Sequence, residues 1–157
     1  MENLVIKPCV SAGAKNTIMV NRKNISAKSK GIENLLTEED YLLQPFVKEI
    51  SGGEWSYLFF NGQCSHCILK TPKQGDFRVQ HHLGGSISYL EPKTKHIEQA
   101  TAYVKSFAER TLYTRVDGVL INDNFQLMEL ELIEPYLFLN SDKTLLENYY
   151  KALLDLI

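Results

Sequence analysis

Positive charge in excess is the first thing this sequence lacks. Its 17 Lys and Arg against 19 Asp and Glu leave a net charge of −2. Recognition of a nucleic-acid backbone wants a basic stripe, so the balance argues against a nucleic-acid binder. Long hydrophobic runs are also missing: none approaches the ~20 residues that span a bilayer, and no charged-then-apolar leader opens the chain. Cysteine is scarce and odd in number, with three. That is no disulfide framework, and a reducing cytoplasm is the expected setting. Repeats and low-complexity tracts are absent as well. What is present, 157 residues with 44% hydrophobic and 23% charged content, suits one globular domain.

The elements follow from periodicity and turn chemistry. Residues 3–7, "NLVIK", read as a strand closed by Pro8, and "TIMVN" (17–21) as its return across a small-residue loop at 11–17. Residues 22–40 are polar with weak helical character. "YLLQPFV" (41–47) is a strand interrupted by Pro45, which cannot donate to a ladder and so marks an edge or a hinge. "EWSYLFF" and "QCSHCILK", joined by Asn61-Gly62, carry the strongest hairpin signal. Residues 71–78 and 81–86 read as loops. Apolar residues at 97, 100, 104, 107 and 108 predict a helix over 94–110. A hairpin at 113–133 and an amphipathic helix at 142–157, capped by Ser141, complete the chain. The expectation is an α+β fold of largely antiparallel sheet, about seven strands, with two long helices.

Within "RVDGVLINDNFQLMELELIEP" (115–135), Glu129 and Glu131 sit two apart on a strand and therefore share a face. With 122–124 as the turn, Ile121 lies opposite Phe125, Asp117 opposite Glu129 and Arg115 opposite Glu131. Three clustered oxygen donors suit a hard cation such as Mg²⁺, with Mn²⁺ as an alternative. A wet sheet face carrying an Arg115–Glu131 pair accounts for the same residues. Glu134 points to the other face and reads as structural.

"CSHC" (64–67) has zinc-like spacing, but alternation along a regular strand puts Cys64 and Cys67 on opposite faces, which excludes a shared ion. His81 and His82 diverge in the same way. His96, near a helix start, reads as solvated, and Tyr149, Tyr150 and the leucines of the last helix as core or interface.

Taken in order, "LVIKP", "LLQPFV" with "GEWS", "GDFRV…GG", "YTRVDGVL" and "LMELELIEP" resemble the ATP-grasp enzymes, in the carboxylate–amine ligase branch near glutathione synthetase and D-alanine–D-alanine ligase. The resemblance covers residues 4–135. It implies ATP lying between two antiparallel α+β subdomains, with ATP and Mg²⁺ phosphorylating a carboxylate substrate that an amine then attacks. That chemistry rests on positioning and charge neutralisation. It implies metal ligands at Asp117, Glu129 and Glu131, the last where many relatives carry Asn. Lys7 matches a lysine on the ATP phosphates, and the Ser11–Thr17 loop a lid over them. Gln44 and the backbone at Phe46 and Val47 match the adenine hinge, and Glu54 the acid on the ribose hydroxyls. Arg78 and Arg115 would face the transferred phosphoryl group, where a planar fork suits phosphate. Lys70 is either a further phosphate-side cation or the end of a strand.

The same resemblance implies a partial lid subdomain at 1–50 and a core subdomain at 51–157, truncated at the N-terminus relative to the family. Carboxylate and amine substrates stay unspecified. Two readings remain: the ATP- and Mg²⁺-binding portion of a ligase, or an inactive nucleotide-binding remnant. A truncated start would expose the first strand as an edge, so a homodimer or strand exchange is expected, assisted by the last helix. On this view Asp117→Asn weakens metal-dependent nucleotide binding and leaves the fold intact.

Overall fold

The computed structural model describes residues 3–10, 13–79 and 84–157. The chain divides into two compact units, Met1–Lys48 and Glu49–Ile157. The first holds strand β1 (Leu4–Pro8), β2 (Ile18–Val20), helix α1 (Ile25–Leu36) and β3 (Tyr41–Pro45). Its three strands run antiparallel in the order β2-β1-β3, with Leu4 opposite both Val20 and Pro45. The hairpin is as expected, and so is Pro45 on an edge strand. The exposed first strand is not: β1 is central, because β2 and β3 pair with its two sides. Within the polar 22–40 stretch Ile25–Leu36 form a helix, α1, in addition to the two helices foreseen. Asn21 and Asn24 organise its start, Asn24 Oδ1 accepting from Asn21 N at 2.8 Å. The proposed lid loop begins at Ser11 and Ala12, outside the described residues.

The second unit holds β4 (Glu54–Phe60), β5 (Gln63–Thr71), β6 (Ser86–Tyr89), α2 (Thr94–Phe107), β7 (Tyr113–Ile121), β8 (Asn124–Glu131) and α3 (Lys143–Leu154). The five strands form one antiparallel sheet in the order β6-β5-β4-β7-β8. Asn61 and Gly62 take positive φ, 46° and 73°, as a two-residue hairpin turn demands. Strand β6, of which only Ser86 falls in the 81–86 segment read as loop, is a short pair for β5 whose alternating Ser and apolar residues give little signal.

One face of this sheet packs on α2. Tyr57, Phe59, Cys67, Val116 and Phe125 meet Ala100, Val104 and Ala108 in a single core. The helical spacing of 97, 100, 104 and 108 is therefore core-directed, but Phe107, counted with them, is 67% exposed. Helix α2 ends at Phe107, short of the expected 110. His96 is a second difference: it is 2% exposed, with Nε2 3.3 Å from both the Asp123 carbonyl and Asp123 Oδ1. The β7–β8 turn folds over the start of α2 and covers a ring the sequence left in solvent.

The opposite face carries Leu58, Ile68 and Phe138 at one end, with Phe60 edge-on to Tyr149 of α3. The N-cap of α3 is Asp142, not Ser141; its Oδ1 accepts from Thr144 N at 2.8 Å. An aspartate there also suits the positive end of the helix dipole. Ser141 belongs to the short 3₁₀ turn Leu139–Ser141 that precedes it.

A bulge in β5 corrects the reading of "CSHC". Leu58 pairs with His66 but Phe59 with Cys64, so Ser65 is unpaired. The extra residue flips the alternation and puts Cys64 and Cys67 against the same core. Both thiols stay free, and burial pushes Cys64 up to about 11 and Cys67 up to about 12. At those values neither is a thiolate at neutral pH, so the pair is packing rather than chemistry. His81 and His82 lie outside the described residues.

Candidate metal centre

The charged end of that second face gathers five strand residues from three adjacent strands and completes them with β8. Glu54 pairs with Lys70, Ser56 with Asp117, Asp117 with Glu129 and Arg115 with Glu131. The Asp117–Glu129 and Arg115–Glu131 pairings match expectation, though by a different route. The turn is two residues, Asn122 and Asp123, both at positive φ (50° and 59°), so Ile121 faces Asn124 and Leu120 faces Phe125. The ladder would then have been one residue out at Asp117. A bulge between Asp117 and Gly118 leaves Met128 unpaired and restores the register.

Asp117 is 1% exposed and holds two cations. Lys70 Nζ donates to its Oδ2 at 2.8 Å; Arg115 donates through Nε to Oδ1 at 3.1 Å and through Nη2 to Oδ2 at 3.0 Å. Lys70 also reaches Glu54 Oε2 at 2.6 Å, and Arg115 Nη2 also pairs with Glu131 Oε1. Arg115 is held from behind by Tyr136 O at 3.3 Å and by the Phe138 ring, 5.9 Å from Cζ. Glu129 is the one exposed member, and it makes no ion pair among the described residues.

Burial works to raise Glu54, Asp117 and Glu131, and the cations decide which of them resists. Lys70 and Arg115 together outweigh burial at Asp117 and hold it below the usual aspartate range. Burial wins at Glu54 despite Lys70, and at Glu131 despite Arg115, so both lie above the usual glutamate range. Lys70 and Arg115 are themselves raised, burial notwithstanding, by the carboxylates around them. Four carboxylates thus face two cations.

A stability profile follows. Glu54 and Glu131, raised on folding, bind protons sooner in the native chain, so stability rises as pH falls from neutrality toward their unfolded values. Asp117 is lowered, and so is Asp76, to about 2 through its hydrogen bonds from Arg78. Their contribution is lost as acid reaches the folded values. Melts in EDTA are expected to peak in mildly acid buffer and fall below about pH 4. Glu131→Gln should flatten the rising limb, and a profile identical to the parent's would remove Glu131 from the account.

One oxygen of each of Asp117, Glu129 and Glu131 lies within 4.8 Å of the others. Carboxylate oxygens at that separation fit a hard divalent cation with little side-chain movement. Beside them Ser56 Oγ, fully buried and directly across from Asp117, has no hydrogen-bond partner among the described residues. An orphaned hydroxyl of this kind costs about 1–3 kcal/mol unless something completes it. Ser56 was missed in the sequence; the cue was its place on the same strand face as Glu54.

The other candidates lie elsewhere. Arg78 makes a fork with Asp76, Nη2 to Oδ2 at 2.8 Å and Nε to Oδ1 at 3.1 Å, on the segment after β5. Lys7, opposite Leu42, and Gln44, opposite Val5, stand on β1 and β3 of the first unit. Phe46 N donates to Asn3 O at 2.9 Å, and Val47 follows it. Glu134 has left the strand and takes positive φ, 54°.

Comparison with known proteins adds three observations. Residues 1–138 match the family "Prokaryotic glutathione synthetase, ATP-grasp domain". A glutathione synthetase of Prochlorococcus marinus subsp. pastoris is 24% identical over 136 residues, which is 85% of this chain and 43% of that protein. Among solved structures, D-cycloserine synthetase DcsG superposes with a TM-score of 0.76 at 23% identity, over 98% of this chain and 55% of that one. D-alanine–D-alanine ligase from Bacillus anthracis, in complex with ATP, gives 0.65 at 15% identity over 98% and 53%. The ATP-grasp ligase PsnB, in complex with a precursor variant, Mg and ADP, gives 0.67 at 18% over 99% and 47%. The chain spans about half the length of these relatives. Among the described residues no helix is long and apolar enough to cross a membrane.

Proposed function

The chain belongs to the prokaryotic glutathione synthetase ATP-grasp domain family, and from that premise we propose that it is the ATP- and Mg²⁺-binding portion of an ATP-dependent carboxylate–amine ligase. The observation that carries this reading is the Asp117–Glu129–Glu131 cluster, held with Lys70 and Arg115 on one sheet face. The reaction class is phosphoryl transfer to a substrate carboxylate, giving an acylphosphate that an amine then attacks. Such a reaction needs no protein nucleophile.

Asp117, Glu129 and Glu131 would hold the divalent cation, Mg²⁺ or Mn²⁺. That ion would neutralise phosphate charge where it binds. Arg115 and Lys70 supply donors for phosphate oxygens, and their raised basicity keeps both charged at any physiological pH. Tyr136 and Phe138 keep the Arg115 fork in one plane. Ser56 Oγ offers a hydroxyl to the same space. Arg78 is assigned to the transferred phosphoryl group, and Glu54 to the ribose. Lys7 is assigned to the phosphates, and Gln44, Phe46 and Val47 to adenine, on motif resemblance. The three free cysteines suit a cytoplasmic setting, where thiols stay reduced.

The test is calorimetric titration of a non-hydrolysable ATP analogue, with and without Mg²⁺, into the parent and Glu129→Gln. Glu129 is exposed and makes no ion pair among the described residues, so its replacement should leave the melting curve unchanged. Metal-dependent affinity is expected to drop about 10-fold or more. Equal affinity in both proteins would remove the metal assignment. A folded parent that binds no nucleotide would remove the ligase reading from this chain by itself.

A further inference from the structure

Helix α3 buries one side and leaves another bare. Leu145, Asn148, Tyr149, Ala152 and Leu153 turn inward, Ala152 fully, while Leu146, Tyr150 and Leu154 stand 56%, 58% and 48% exposed. These three are spaced by four residues and so form one ridge along the helix. The neighbouring ridge, also at steps of four, is Lys143, Glu147, Lys151 and Asp155. Among the described residues none of these four charges forms an ion pair, although i,i+4 spacing puts each within reach of the next.

The order of these charges is the informative part. Read forwards the ridge is plus, minus, plus, minus; read backwards it is the complement of itself. A two-fold axis that brings two antiparallel copies of α3 together superposes each ridge on its own reverse, as an isologous interface requires. Leu146 then meets the partner copy's Leu154 end, Tyr150 lies at the axis beside its own symmetry mate, and Glu147 meets Lys151 of the second copy twice over. Lys143 and Asp155 continue the alternation outward. Packing of i±4 ridges is also the commonest way for two helices to cross.

We propose that α3 is a self-association surface whose occupant is the α3 of a second copy of this chain, antiparallel, with reciprocal Glu147–Lys151 pairs flanking an apolar ridge. The inference does not depend on the ligase reading, since no residue of the metal centre takes part. A 12-residue helix is only about 18 Å long, so the interface is small and association is weak and concentration-dependent.

Sedimentation equilibrium tests it, with circular dichroism as the check on folding. The parent should show reversible dimerisation. Glu147→Lys and Lys151→Glu, each at an exposed position, should weaken self-association about 10-fold or more, because each homodimer now opposes like charges. An equimolar mixture of the two variants should associate again, since Lys at 147 of one chain meets Glu at 151 of the other. Repair within one helix cannot produce that recovery on mixing. A parent that stays monomeric throughout the accessible concentration range overturns the proposal. So does a dimer indifferent to both reversals, or a mixture no better than its parts.

Discussion

Asp117→Asn is expected to lower the unfolding free energy by about 3 kcal/mol and to remove metal-dependent nucleotide binding in the same protein. The sequence suggested a ligand that could be neutralised without harm to the fold. The structure gives a reason to expect otherwise. Asp117 is buried at the centre of the sheet face and is the shared counter-charge of Lys70 and Arg115. An amide of the same shape keeps some hydrogen bonding but supplies no charge. Lys70 would be left with Glu54, whose own carboxyl is already pushed toward neutrality by burial, and Arg115 with Glu131, which is in the same position. Two buried cations then rest on two weakened partners. Urea denaturation reads the loss directly. Adding Lys70→Met should recover part of it by removing the cation left short of charge, and the cycle would isolate the pair's coupling. A single mutant as stable as the parent would mean that water reaches both cations, and the buried network would have to be given up.

Gly118→Ala is expected to cost about 3 kcal/mol, the upper end of what overpacking does, and to disorder the metal centre with it. The residue sits at the β7–β8 bulge. A Cβ built there would lie 2.4 Å from the Gln126 carbonyl oxygen and 2.5 Å from Phe125 Cζ. The nearest obstacle is backbone of the paired strand, so no side-chain rotation relieves it. The strands must part just where the ladder changes register. Because the bulge brings Glu129 opposite Asp117, a parted ladder separates the metal ligands as well as the core. Loss of stability together with loss of Mg²⁺-dependent binding is the expected pair of results. Full stability in Gly118→Ala would show that β8 slides past the clash. Retained metal binding in a destabilised variant would show that the carboxylates do not need the bulge.

The local pattern of the chain settled a good deal. Two β-rich runs marked β4 and β5, and Asn61-Gly62 set their turn. Proline at 45 put β3 on an edge, and the spacing of Ile97, Ala100 and Val104 aimed α2 at the core. These features depend on side chains a few residues apart, so a linear reading can see them. The carboxylate set was visible for the same reason, since Glu129 and Glu131 share a face whatever their partner strand does.

Tertiary packing decided the rest. Two bulges, at Ser65 and at Met128, shift alternation by one residue, and each is stabilised by what lies across the strand rather than by its own residue type. One reversed the reading of Cys64 and Cys67; the other rescued a pairing that the wrong turn would have lost. Burial of His96 beneath Asp123 depends on a turn folding back over a helix 27 residues away. The sharing of Asp117 between Lys70 and Arg115 depends on three strands meeting side by side. Composition carries no trace of such contacts, because their energy arises only when distant segments exclude water together. The sequence named the carboxylates, and the fold determined that all but one of them arrive already paired.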